Sequence, residues 1–85
     1  MKDFKVAKSN VDLTPGESLR IIRELQEISQ NQLAEITQIP QPTISAIENE
    51  RVSLGAERAK TLARALKCHP AALLFPGWDL ESEAA

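Results

Sequence analysis

The chain has 85 residues, of which 42% are hydrophobic and 26% charged, the composition of one small globular domain. Aromatic residues make up only 4%, which indicates an aliphatic core, and the many helix-forming residues predict an all-α fold. The net charge of −2 excludes a strongly basic nucleic-acid-binding protein. The negative net charge comes from the acidic end of the chain, since residues 1–78 alone carry a net charge of +1.

Cysteine and histidine are too few for several classes of site. The only cysteine, Cys68, has no partner for a disulfide, and together with the only histidine, His69, it provides two of the four ligands of a typical zinc site. No apolar run reaches the length of a signal peptide or a membrane span. We therefore expect a soluble, cytoplasmic protein without metal, cofactor or membrane contact.

Residues 1–13 lack helical periodicity and are expected to form an extended N-terminal arm, with a short strand at residues 4–6. Three lysines make this arm basic, so it is either a solvated tail or an arm that reaches DNA or a partner. The first helix is predicted over residues 15–27. Thr14 and Glu17 form a capping box around Pro15, and Leu19 and Leu25 contribute to an apolar stripe.

A second capping box, Ser29 with Gln32, predicts a short helix over residues 30–37 that buries Leu33. The residue before Pro40 is disfavoured in a helix, so this helix ends near residue 38. A third helix is predicted over residues 41–50, with Ile44 and Ile47 as its buried stripe.

Two further helices follow a loop at residues 51–55. One is predicted over residues 56–67, and the other begins at Pro70 and spans residues 70–75. Leu74, Phe75 and Trp78 crowd a short terminal segment and are expected to form a dimer or partner surface. The predicted organisation is an arm (1–13), one helical domain (14–78) and an acidic C-terminal tail (79–85).

The second and third helices have the spacing of a helix-turn-helix, in which two short helices are joined by a three-residue break. The third helix carries the small polar residues Gln41, Thr43 and Ser45 between isoleucines that point to the core. A narrow helix with a polar outer side fits the major groove of DNA, which is about 12 Å wide.

Residues 28–35 (ISQNQLAE), 43–49 (TISAIEN) and 62–66 (LARAL) resemble the Cro/repressor-type (XRE) helix-turn-helix family, in the order and spacing of that family. The resemblance extends from residue 19 to residue 74. It implies a five-helix fold and binding of double-stranded operator DNA by a homodimer, without enzymatic activity.

The resemblance also assigns roles to single positions. Gln30 corresponds to a glutamine that contacts a phosphate, and Gln41 to a glutamine that reads adenine. The positions that face the bases are Pro42, Thr43 and Ala46. Those that face the DNA backbone are Ser45 and Asn49. A second group of phosphate contacts corresponds to Arg51 and Ser53. Arg23 and Glu48 correspond to an ion pair that joins the first and third helices as part of the scaffold.

Three residues depart from the family pattern. Gln38 and Glu50 stand where glycine is common, so Gln38 is expected in a left-handed conformation and Glu50 brings a carboxylate close to phosphate. Pro42 cannot make a polar base contact. The operator sequence therefore does not follow from the resemblance.

Several biological roles are compatible with these features. Because no sensor domain is visible, we expect control by the protein's own concentration or by another protein. The acidic tail favours the autoregulating antitoxin of a toxin–antitoxin pair, of the HigA-like kind, with a small basic toxin as partner. The alternatives are a stand-alone phage repressor or restriction–modification controller, and a protein-interaction module without DNA binding, for which the polar residues are simply exposed.

Overall fold

Five helices make up most of residues 13–76, the part of the chain that the computed structural model describes. They are α1 (Pro15–Leu25), α2 (Gln30–Thr37), α3 (Gln41–Glu48), α4 (Ala56–Leu66) and α5 (Pro70–Leu74). No strand occurs in this part of the chain, so the all-α, five-helix prediction is confirmed. The strand expected at residues 4–6, nearly all of the arm, and the acidic tail lie outside the described residues.

Hydrogen bonds from side chains explain where α1 and α2 begin. The Thr14 hydroxyl accepts the backbone N–H of Glu17 at 3.1 Å, and the Glu17 carboxylate accepts the N–H of Thr14 at 3.0 Å. Ser29 and Gln32 make the same reciprocal pair at 3.0 and 2.8 Å. Both predicted capping boxes are therefore present, and both helices begin at the predicted residue.

Three helices end earlier than predicted, and a left-handed residue follows each of them. Positive φ angles of 58°, 65°, 62° and 56° occur at Glu27, Gln38, Glu50 and Lys67. A non-glycine residue rarely adopts this conformation, and it ends a helix by turning the chain away from the helix axis. The helices predicted over residues 15–27, 41–50 and 56–67 accordingly end one or two residues earlier, whereas α2 ends as predicted. The last helix, predicted over residues 70–75, ends at Leu74 without such a residue, since Phe75 has φ −125°.

The core is aliphatic and receives side chains from all five helices. The largest fully buried side chains are Leu19, Leu33, Ile44, Ile47, Leu62, Leu66 and Leu73. Leu25 was expected in this core and is instead 78% exposed. At 3.6 residues per turn, Leu25 lies about 120° around α1 from Leu19, and the buried side of the helix at that level is taken by Arg23.

Polar contacts and one close approach hold α1 against its neighbours. The Ser18 hydroxyl donates to the Ala72 carbonyl at 2.7 Å, and the Gln26 amide donates to the Leu66 carbonyl at 2.7 Å. At Gly16 a Cβ atom would overlap the backbone carbonyl oxygen of Ile47, so only glycine allows α1 to approach the end of α3 this closely. The two hydrogen bonds fix α1 against α5 and α4, and the close approach at Gly16 supports the end of α3 from behind.

Candidate nucleic-acid interface

A three-residue turn joins α2 to α3 and determines where α3 begins. Gln38 ends α2 with φ 65° and ψ 18°, the left-handed conformation expected from the sequence. Ile39 is 8% exposed and anchors the turn in the core. The Thr37 hydroxyl accepts the N–H of Ile39 at 3.2 Å, and Pro40 then precedes the first residue of α3. The helix-turn-helix spacing is thus present, with an anchored turn.

The two sides of α3 differ in burial. Ile44, Ile47 and Glu48 face inward and are at most 5% exposed. The opposite side, which we call the outward side of α3, contains exposed and partly exposed residues, all of them predicted to face DNA: Pro42, Thr43, Ser45, Ala46 and Asn49. Since successive residues of a helix are about 100° apart, these five occupy one continuous arc. The arc carries no charged side chain.

Arg23 and Glu48 form a buried, two-bond ion pair between α1 and α3. Arg23 Nε lies 2.8 Å from Glu48 Oε2, and Arg23 Nη2 lies 3.0 Å from Glu48 Oε1. Arg23 Nη1 also donates to the Ile28 carbonyl at 2.8 Å, which fixes the turn between α1 and α2. The hydrogen bonds to Glu48 raise the pKa of Arg23, although burial opposes the shift. The guanidinium therefore stays charged, and its two hydrogen bonds to Glu48 hold α3 to α1.

A line of side-chain amides extends from this ion pair to the start of α3. Gln30 Nε2 donates to Glu48 Oε1 at 2.9 Å, and Gln41 Nε2 donates to Gln30 Oε1 at 2.8 Å. We call Arg23, Glu48, Gln30 and Gln41 the polar chain. Both glutamines are partly exposed, so the polar chain reaches the surface beside the start of α3. The structure therefore joins the predicted phosphate-contacting and adenine-reading glutamines directly.

The loop after α3 carries the remaining predicted contacts. Arg51 and Ser53 are both exposed in it. The Asn49 amide donates back to the Ser45 carbonyl at 2.9 Å, which orients its side chain along the helix. Glu50 does not extend freely toward this loop, because its carboxylate accepts a hydrogen bond from the Thr14 hydroxyl at the N-terminus of α1. A helix N-terminus favours a negative charge, so this contact holds the carboxylate of Glu50 beside α1.

The predicted dimer or partner surface is only partly described. Phe75 follows α5 and is 59% exposed, whereas Leu74 is partly buried. Trp78 lies outside the described residues. Within residues 13–76, no cluster of His, Cys, Asp and Glu side chains could hold a metal ion, and no helix is long and apolar enough to cross a membrane.

Sequence reasoning missed the contacts within the polar chain that involve the two glutamines. The spacing contained a partial signal: Gln41 and Glu48 are seven residues apart, so they lie on nearly the same edge of α3 two turns from each other. Gln30 bridges them from α2, and that contact depends on how the two helices pack.

Comparisons with known proteins agree with this geometry. A family model described as helix-turn-helix matches residues 19–73. Two similar solved structures are of the P22 c2 repressor. One is a crystal structure in complex with synthetic operator 9T, with 29% identity and a TM-score of 0.68, covering 73% of this chain and 94% of that one. The other is a nuclear magnetic resonance structure of its DNA-binding domain, with 28% identity and a TM-score of 0.70, covering 74% and 83%. No curated protein matches the chain.

Proposed function

Because the chain belongs to the helix-turn-helix family of the Cro/repressor type, we propose that it is a DNA-binding transcriptional regulator that recognises a two-fold symmetric operator as a homodimer. The observation that carries this proposal is the outward side of α3. It is uncharged, at least partly exposed, and carries hydroxyl and amide groups, while the isoleucines on the other side of the helix are fully buried. Repressors of this family are not enzymes, and we propose no catalytic activity for the chain.

Base recognition is assigned to the outward side of α3 and to Gln41. A glutamine amide can pair with the N6 and N7 atoms of adenine in the major groove, and the methyl groups of Thr43 and Ala46 can contact a thymine methyl. Pro42 contributes shape without a hydrogen bond. These contacts supply sequence preference.

Phosphate binding is assigned to Gln30 with the N-terminus of α2, and to Arg51, Ser53 and Asn49 at the end of α3. Free N–H groups at a helix N-terminus attract a phosphate. Residues 13–76 contain seven basic and seven acidic side chains, so the domain as a whole has no electrostatic excess. Affinity therefore depends on where the few cations lie, and Arg51 lies beside α3.

The experiment that tests this function is a gel-shift assay with the DNA upstream of the protein's own gene, at two salt concentrations and against scrambled DNA. Preferential binding supports the proposal, and equal binding of both DNAs contradicts it. Arg51→Ala is expected to reduce the slope of log affinity against log salt by about one per protomer. Arg64→Ala is the matched control: Arg64 is exposed in the last turn of α4, a helix to which no DNA contact is assigned, and its loss should leave the slope unchanged.

Dimerisation is assigned to the end of α5, where an exposed Phe75 offers an apolar contact. Phe75→Glu is expected to shift the protein from dimer to monomer in sedimentation equilibrium. The same variant should lose affinity for a full palindrome but keep its affinity for a half-site. A variant that remains dimeric would place the dimer contact elsewhere.

A second candidate role, the antitoxin of a toxin–antitoxin pair, is favoured by the acidic residues Asp79, Glu81 and Glu83 near the C-terminus. Their charge complements a small basic toxin. Co-purification of such a protein from the native host would support this role. A dimer that occupies its operator alone would favour a stand-alone repressor or controller, and a protein that binds no DNA would favour an interaction module.

A further inference from the structure

The buried end of the polar chain determines which atom donates and which accepts in each of its hydrogen bonds. Glu48 is 5% exposed and is held by two hydrogen bonds from Arg23. An ionised carboxylate only accepts hydrogen bonds, and a guanidinium only donates them. Gln30 must therefore turn its NH₂ group toward Glu48. This requirement exists before any DNA is bound.

The orientation of the Gln30 amide in turn determines the orientation of the Gln41 amide. With its NH₂ group on Glu48, Gln30 presents its carbonyl oxygen to Gln41, which donates one N–H to it at 2.8 Å. A primary amide has two N–H donors and one carbonyl acceptor. Gln41 is thus left with one free N–H and a free carbonyl oxygen, and it cannot turn over without breaking the bond to Gln30.

One donor and one acceptor match adenine but not guanine. In the major groove, adenine presents the acceptor N7 and the donor N6, whereas guanine presents two acceptors, N7 and O6. We propose that the buried pair Arg23–Glu48, acting through Gln30, makes Gln41 select adenine over guanine. This inference rests on the proposed function, and it makes Glu48 a positioning residue for base recognition in addition to its structural role.

Variants at three points of the polar chain separate this role from stability. Gln30→Met removes the link but leaves the ion pair intact. Arg23→Met/Glu48→Met removes the pair without leaving a buried charge. Either change removes the constraint on which way the Gln41 amide faces, so the preference for adenine over guanine should fall. Gln30→Lys offers only donors to both neighbours, so Gln41 should turn its carbonyl oxygen inward and present two N–H groups to the base. The Gln30→Lys protein should therefore prefer guanine at the base pair that Gln41 contacts.

The test has two steps. First, the full-length protein and each variant select bound sequences from a library of random-sequence duplexes. Their affinities are then measured for duplexes that differ at one base pair. Gln41→Ala identifies that base pair as the one whose preference it abolishes. The wild type should favour adenine there by about 5- to 150-fold, the range of one bidentate contact. The ratio should fall to within about threefold of unity for Gln30→Met and for the double variant.

The ratio is informative because a loss of stability or of a phosphate contact lowers the affinity for both duplexes alike. Circular dichroism establishes that each variant is folded, and Gln30→Met tests the inference even if the double variant is not. An unchanged ratio in Gln30→Met, or a base other than adenine opposite Gln41 in the wild type, would overturn the inference while DNA binding stands. A wild type that enriches no sequence would overturn the proposed function itself.

Discussion

The inner edge and the outward side of α3 contain similar polar residues but use them differently. On the inner edge, Gln41 and Glu48 are bonded to Gln30 and Arg23, so their polar atoms point in set directions. On the outward side, the Thr43 hydroxyl has no hydrogen-bond partner within residues 13–76. One edge of this helix is therefore fixed by the protein, and the other is available to a ligand.

The difference shows how a short helix can present a defined surface. An eight-residue helix is not stable alone, so its orientation must come from its neighbours. The burial of two isoleucines stabilises the helix through a non-directional hydrophobic contact. The hydrogen bonds of Glu48 to Arg23 and Gln30 are directional, and they help to set the rotation of the helix about its axis. Within residues 13–76, the outward side makes no side-chain hydrogen bond to another helix and is available for recognition.

The largest expected effect comes from breaking the inner edge at Arg23. Arg23→Met leaves the buried carboxylate of Glu48 without its cation and should lower the free energy of unfolding by about 3–5 kcal/mol in urea denaturation. Since the pKa of Arg23 is raised, its charge and the stability it contributes are fully present below the unfolded-state pKa of arginine, which lies far above pH 9. Titration of Arg23 itself should therefore make no difference to the loss between pH 6 and pH 9.

Arg20 provides the matched control for this prediction. Its side chain is 58% exposed and lies 3.4 Å from the Glu24 carboxylate, a surface pair. Arg20→Met should change stability by less than about 1 kcal/mol. Equal losses for the two arginine variants would show that the buried pair has no special role in holding α3.

A smaller effect is expected from displacing α3 from behind. Gly16→Ala places a methyl group on the carbonyl oxygen of Ile47 and should cost about 1–3 kcal/mol, because backbone atoms must move. Gly55→Ala is the control, since a Cβ atom at Gly55 meets no atom within 4 Å. Thermal unfolding of the two variants measures the difference, and a Gly16→Ala protein as stable as the wild type would contradict the close approach of α1 and α3.

The smallest effect is expected at the turn before α3. Gln38 is left-handed, so Gln38→Gly should relieve strain and raise the free energy of unfolding by about 0.5–1 kcal/mol. Glu35→Gly, at an exposed position inside α2, should lower it by about 1 kcal/mol. Opposite signs for the same new residue in denaturant titrations would establish that the turn is strained; a loss of stability at both positions would refute this.

The helix starts could be predicted because their determinants are local. Thr14 with Glu17, and Ser29 with Gln32, are capping boxes that lie within four residues of sequence. The helix ends were predicted less well. They depend on left-handed residues such as Glu27 and Lys67, where no glycine marks the position.

The sequence predicted which residues belong to the site but not which hydrogen bonds join the two glutamines to it. The resemblance to a known family suggested the pairing of Arg23 with Glu48, which their spacing of 25 residues does not reveal. The bonds of Gln30 to Glu48 and of Gln41 to Gln30 depend on how α2 packs against α3. Contacts of this kind follow from tertiary structure, so a pattern along the chain does not show them.

The measurement that tests the central claim most directly is a titration of the ¹⁵N-labelled protein with its operator duplex, followed by backbone amide chemical shifts. We expect the largest changes on the outward side of α3, at Thr43, Ala46 and Asn49, and at the N-terminus of α2. Changes confined to α1 or α5, with the amides of α3 unmoved, would contradict the claim that α3 enters the groove.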